Sequence, residues 1–125
     1  MTLLLDAGAF VAVERANREV VALIKAERLT GRLPLSHGGV VGQVWRGGPR
    51  QANVARLLAG TEIVAVDEGL GRRAGVLLGR AASSDVVDAA IVVLARDGDV
   101  ILTSDTSDLH RLAVEAGVHV DLVPI

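Results

Sequence analysis

The stretch VILTSDTSDLHRLAVEAG, residues 100–117, decides the fold. VILT, at 100–103, is a short apolar run of the kind that forms a strand buried on both faces. From 107 to 116 apolar residues recur at helical spacing, and Gly117 follows where a helix would end. Between strand and helix stands Asp105, with Asp108 one helical turn later. The same scheme recurs along the chain, with apolar runs LLL at 3–5, LPL at 33–35, EIVAV at 62–66 and HVDLV at 119–123. Helical patterns occupy roughly 9–29, 37–59, 68–80 and 86–96, with Gly31, Gly60 and Gly98 near their ends. Such alternation predicts an α/β chain, a three-layer α/β/α domain spanning 1–125 with a central parallel sheet of four to five strands.

Composition narrows the class. A chain of 125 residues, half of them hydrophobic, buries a real core, and with one Trp, one Phe and no Tyr that core must be aliphatic. Cysteine is absent, so disulfides and thiolate metal sites are excluded and a cytoplasmic setting is the simplest expectation. The N-terminal apolar run ends at Asp6, and no run approaches a membrane span. A net charge of -2 argues against a uniformly basic coat for nucleic acid. There is no GK[ST] phosphate loop, and GLGRRAG at 69–75 lies inside a helical pattern rather than after a strand. Gly71, Gly75 and Gly79 form a small-residue stripe, expected to pack against another helix of the same chain, with a dimer seam as the alternative.

In open parallel sheets, ligands bind beyond the carboxyl ends of the strands where strand order reverses. Asp6 follows the first strand, Asp67 the third and Asp105 the fourth. Asp67 reads as the cap of the helix after it, whereas Asp6 is open to either a cap or a functional role. In SSDVVDAAIVVLA, 83–95, Asp85 suits the cap and Asp88, one turn on, opens a helix apolar enough to be buried. Carboxylates converging at 4 Å repel by about 4 kcal/mol per pair at an effective dielectric near 20, so such a cluster calls for a proton or a divalent cation. Oxygen ligands alone favour Mg²⁺ or Mn²⁺. His37, His110 and His119 lack metal-ligand spacing and read as ordinary polar residues.

Of the 13 basic residues all but Lys25 are arginine, a side chain suited to bidentate phosphate contact. Arg46 and Arg50, with Arg56 beyond them, form the best candidate RNA-binding segment, and Arg72, Arg73 and Arg80 a second; a solvated surface is the alternative for both. Trp45 is expected as a buried anchor beneath the GGP turn, with base stacking as the alternative.

LLLDAGAFVAVE at 3–14, DAAIVVLA at 88–95 and ILTSDTSDL at 101–109 together resemble a PIN domain, in particular the VapC toxins of bacterial VapBC toxin–antitoxin pairs. The resemblance runs the length of the chain. It implies a sheet with neighbouring first and fourth strands, a Mg²⁺- or Mn²⁺-dependent endoribonuclease, a cognate VapB-type antitoxin and a homodimer. It places Asp6, Asp88 and Asp105 as metal-binding catalytic acids, with Asp108 as an auxiliary acid. The chain departs from the family at Gln43, where a glutamate is usual, because an amide brings no charge and cannot act as a base. The missing charge is expected from Asp85, which spacing favours, with Glu14 as the alternative. The competing expectation is a PIN-like module that binds RNA or antitoxin with little or no cleavage.

Overall fold

A computed structural model describes residues 1–125. Five strands, β1 (Leu3–Leu5), β2 (Leu35–His37), β3 (Glu62–Val64), β4 (Val100–Thr103) and β5 (Asp121–Pro124), form one open sheet in the order β3-β2-β1-β4-β5. Every neighbouring pair is parallel. Around it lie α1 (Ala7–Glu14), α2 (Arg18–Leu29), α3 (Gly38–Val44), a 3₁₀ turn (Pro49–Gln51), α4 (Ala52–Ala59), α5 (Glu68–Ala81), α6 (Val86–Leu94) and α7 (Thr106–Ala116). Helix α1 packs on α2, α3 and α4, while α5, α6 and α7 pack on one another. The three-layer α/β/α arrangement is therefore as expected. No helix is long and apolar enough to cross a membrane.

Strand order reverses between β1 and β4, which pair through Leu3–Val100, Leu4–Ile101 and Leu5–Leu102. These strands run through the centre of the core, where Leu4, Leu5, Ile101 and Leu102 are almost wholly buried. The core is aliphatic apart from Phe10, which α1 buries completely. At the opposite end of the strands, the buried Asp99 carboxylate accepts from the Thr2 N–H and the Arg96 N–H, each at 2.8 Å. This tie holds the starts of β1 and β4 level, so that their carboxyl ends open at the same height.

Several expected spans shift, for local reasons. The helix expected over 9–29 is two helices, because Ala16 turns left-handed (φ 57°) and the Asn17 side chain caps α2 by accepting from the Glu19 and Val20 N–H groups. The one expected over 37–59 breaks at the GGP segment, where Gly47 takes φ 75° and Pro49 opens the 3₁₀ turn. The strand expected at 33–35 forms at Leu35–His37, since Leu33 stays exposed and Pro34 has no N–H to give a ladder. The last strand likewise starts later, at Asp121 rather than at 119, and β3 ends at Val64, two residues before the expected end at 66.

The glycine stripe of α5 does not pack within the molecule. That helix turns Leu70, Ala74 and Leu77 to the core, and a Cβ at Gly71, Gly75 or Gly79 would meet nothing within 4 Å. Gly8 is the opposite case. A Cβ there would come within 2.7 Å of Ser104 Oγ and 3.0 Å of the Ser104 backbone nitrogen, so α1 approaches the β4–α7 turn as closely as the backbone permits.

One substitution should therefore act with opposite signs at two sites. Gly75→Ala is expected to stabilise the fold by about 0.5–1 kcal/mol through helix propensity. Gly8→Ala is expected to destabilise it by about 1–3 kcal/mol through overpacking. Urea unfolding followed by circular dichroism measures both, and a Gly8→Ala variant as stable as the parent would contradict the close approach.

Candidate metal centre

The carboxyl ends of β1 and β4 deliver Asp6 and Asp105, and one hydroxyl links them. Thr103 Oγ1, wholly buried, donates to Asp6 Oδ2 (2.8 Å) and accepts from the Asp105 N–H (2.9 Å). Asp6 is itself buried and its Oδ1 accepts from the Ala7 N–H (2.8 Å) at the start of α1. Asp105 caps α7 by accepting from the Asp108 N–H (3.3 Å), which turns Asp108 toward the same opening. On the neighbouring helix, Asp85 caps α6 by accepting from the Asp88 N–H (3.1 Å). Asp88 then sits in the first turn of a helix whose next four residues, Ala89 to Val92, are all buried.

Asp88, Asp105 and Asp108 converge, with carboxylate oxygens within 4.8 Å of one another, and so could hold a metal ion. At that separation each charged pair repels by about 3.5 kcal/mol under an effective dielectric near 20. Asp88 is the buried member of the three, with only 8% of it exposed. Burial pushes its carboxyl up from 3.8 to about 7, and the charges of Asp6, Asp85, Asp105 and Asp108 push in the same direction. At neutral pH the pocket therefore holds either a proton or room for a cation.

The expected acids are thus brought to one place with altered weights. Asp108, expected as an auxiliary, is one of the three converging groups, whereas Asp6 lies beside them, anchored by its two hydrogen bonds and acting on Asp88 through its charge. Asp85 is a cap whose charge also reaches Asp88. Glu14 is not among the charges acting there; its Oε1 accepts from Gln51 Nε2 (3.2 Å) at the far end of α1. Gln43 lies with Glu14, lining a cavity that also takes in Arg46 and Arg50. Asp67 is a cap, as expected, accepting from the Leu70 N–H (2.8 Å). Trp45, expected beneath the GGP turn, is instead 41% exposed, because the turn folds back on Gln51 rather than on the indole.

Sequence reasoning missed His37. This residue is buried at the end of β2, where Nδ1 accepts from the Gly39 N–H (3.0 Å) and Nε2 lies 2.9 Å from the Val87 carbonyl. With Nδ1 accepting, Nε2 carries the proton and donates to Val87, so the neutral ring ties α3 to the turn of α6 that bears Asp88. Burial holds its pKa below the ordinary 6.5, although the Val87 carbonyl and Asp6 act against this. A Cβ at Gly39 would press to 2.8 Å from the ring, so the pair His37–Gly39 fits only as it stands. The local signal was a histidine closing a strand and followed by two glycines.

No protein-family model matches the chain, and no curated protein matches its sequence.

The raised Asp88 pKa has a consequence for stability. The folded state binds this proton more tightly than the unfolded chain, so the contribution is fully present below about 3.8 and is lost as pH rises through about 7. In EDTA at pH 8, Asp88→Asn is expected to raise stability by about 2 kcal/mol, half of the full linkage because water and salt screen the neighbouring charges. That corresponds to a melting temperature higher by about 5–8 °C, shrinking toward zero near pH 4. Thermal melts across this range check it, and a difference independent of pH would contradict the assignment.

Proposed function

We propose that the chain is a metal-dependent endoribonuclease of the VapC type, with Asp88, Asp105 and Asp108 holding the cation and Asp6 completing the charge around it. The observation that carries this reading is the convergence of three carboxylates, one of them buried, at the point where strand order reverses. An all-oxygen donor set suits Mg²⁺ or Mn²⁺ rather than a softer metal. When bound, such a cation supplies an activated water and stabilises charge on a scissile phosphate.

The residues around the acids do the positioning. Thr103 fixes the separation of Asp6 and Asp105, and His37 and the Asp85 cap set the first turn of α6. Asp88 holds a proton near neutrality until a cation displaces it. No side chain is needed as a nucleophile, so RNA cleavage would proceed by hydrolysis without a covalent intermediate. Partners under this reading are RNA, a second copy of the chain and a cognate VapB-type antitoxin. A cavity of about 670 Å³ between α1, α2 and α4 has Val13, Ile24 and Leu57 inside, with Arg18, Lys25 and Arg56 among the four cations and no acid in its wall. Its chemistry suits an acidic amphipathic segment of such an antitoxin.

The second reading, a binding module without cleavage, is favoured by Gln43 alone. Gln43 is exposed in the cavity beside Glu14, and the Asp88 site draws its extra charge from Asp6 and Asp85 instead. Purified protein is expected to cut bacterial RNA into discrete fragments with Mg²⁺ or Mn²⁺ and to be silent in EDTA, with Asp88→Asn and Asp6→Asn reducing the rate at least about 100-fold. No cleavage by folded protein under either metal would leave the binding module as the better account.

A further inference from the structure

We propose that Trp45, Arg46 and Arg50 form a subsite for one unpaired nucleobase and its adjoining phosphate on a single-stranded nucleic acid. The inference deepens the nuclease reading and rests on it for the location of the acids.

The support lies in the loop that carries the indole. Gln51 is buried, and its amide spends its hydrogen-bonding capacity on that loop. Its Oε1 accepts from the Arg46 N–H (2.7 Å) and the Gly47 N–H (3.0 Å), and its Nε2 donates to the Val44 carbonyl (2.7 Å) and to Glu14 (3.2 Å). The backbone is therefore clamped on both sides of Trp45, while the ring itself is 41% exposed. Gly47 passes beside it; a Cβ there would lie 3.8 Å from the indole nitrogen. A rigid frame presenting a free aromatic surface is what base stacking requires.

The cations beside it are also free. Arg46 Nη1 donates to the Gly42 carbonyl (3.1 Å) and the Trp45 carbonyl (2.8 Å), which fixes the guanidinium against the backbone at the end of α3 without neutralising it. The ion pairs of the chain use Arg32, Arg72 and Arg111, so neither Arg46 nor Arg50 has a carboxylate partner. Both arginines line a cavity of about 400 Å³ together with Glu14 and Gln43. An amide and a carboxylate can read base edges, and two guanidinium groups can hold phosphate.

One helix also links the cavity to the acids. Helix α1 starts at Asp6 in the metal centre and ends at Glu14 in this cavity, about 12 Å away at about 1.5 Å per residue. A few nucleotides of extended single strand would reach from one to the other. A duplex would keep its bases stacked on each other and offer none to Trp45. Gln43, which weakens the case for a metal ligand, thereby gains a role as a base-reading group.

The chain contains one Trp and no Tyr, so its intrinsic fluorescence reports Trp45 alone. The experiment titrates the full-length protein in EDTA, where no cleavage occurs, with an eight-nucleotide RNA, the DNA of the same sequence, an abasic analogue and a duplex. Saturable quenching by the single strands, at least about tenfold weaker for the abasic and duplex probes, is expected. Tighter binding of RNA than of DNA would name RNA as the source of the base. Measured by fluorescence anisotropy of labelled RNA, Trp45→Ala and the pair Arg46→Ala/Arg50→Ala should each weaken binding about tenfold, and Trp45→Phe should largely restore it. Circular dichroism verifies that each variant is folded. Unquenched fluorescence with bound RNA, or binding indifferent to Trp45→Ala, would overturn the subsite even where metal-dependent cleavage is intact. Emission that shifts with protein concentration and not with nucleic acid would overturn it too, placing Trp45 at a contact between copies of the chain. Quenching by a protein that cleaves nothing would uphold the subsite and count against the nuclease reading alone.

Discussion

Carboxylate repulsion at the ends of β1 and β4 is the constraint around which the molecule is arranged. Three acids with oxygens within 4.8 Å of one another, and a fourth beside them, are unstable as a set of bare anions. The fold tolerates the set partly because two of these carboxylates and the neighbouring Asp85 are anchored to backbone or hydroxyl donors, while Asp108 pairs with Arg111 (2.9 Å). Asp6 rests on Thr103 and the Ala7 N–H, and Asp85 and Asp105 rest on the free amides of α6 and α7. The residual strain is felt at Asp88, whose burial and neighbouring charges push its pKa up to about 7. A divalent cation held there would replace that proton and relieve the repulsion at once.

The surroundings make this arrangement reproducible. Asp99 levels β1 against β4 from below, Gly8 lets α1 close on the Ser104 turn from above, and the neutral His37 ring ties α6 to the end of β2. Each contact joins segments distant in sequence. These residues set the width of the pocket, and changes at them should be felt by any cation bound there as well as in stability.

The order of strands and helices was legible in the chain because strand and helix periods differ and glycines mark the helix ends. The acids were legible because a lone carboxylate after a buried strand is expensive unless it is used. Spacing alone did not show that Asp108 and Asp105 act together, since both lie within one turn of α7 and only the fold reveals that both converge on Asp88. Spacing favoured Asp85 over Glu14 as the extra source of charge, and the structure agrees: Asp85 acts on Asp88, whereas Glu14 lies at the far end of α1. His37 and Gln51 stayed hidden because their roles arise from partners brought near only by folding, Val87 in one case and Glu14 in the other. Trp45 was misread for the same reason: a large apolar residue is most often buried, and the clamp by Gln51 that leaves it in solvent is a tertiary feature.

The most direct test of the metal centre is the binding of Mn²⁺ itself, followed by the loss of the free-ion electron paramagnetic resonance signal. A saturable site is expected in the parent protein, at least about tenfold weaker in Asp88→Asn and in Asp105→Asn, weakened in Asp108→Asn, and unchanged in Glu14→Gln. Mn²⁺ binding indifferent to Asp88→Asn, or no saturable binding by folded protein at pH 8, would contradict the account.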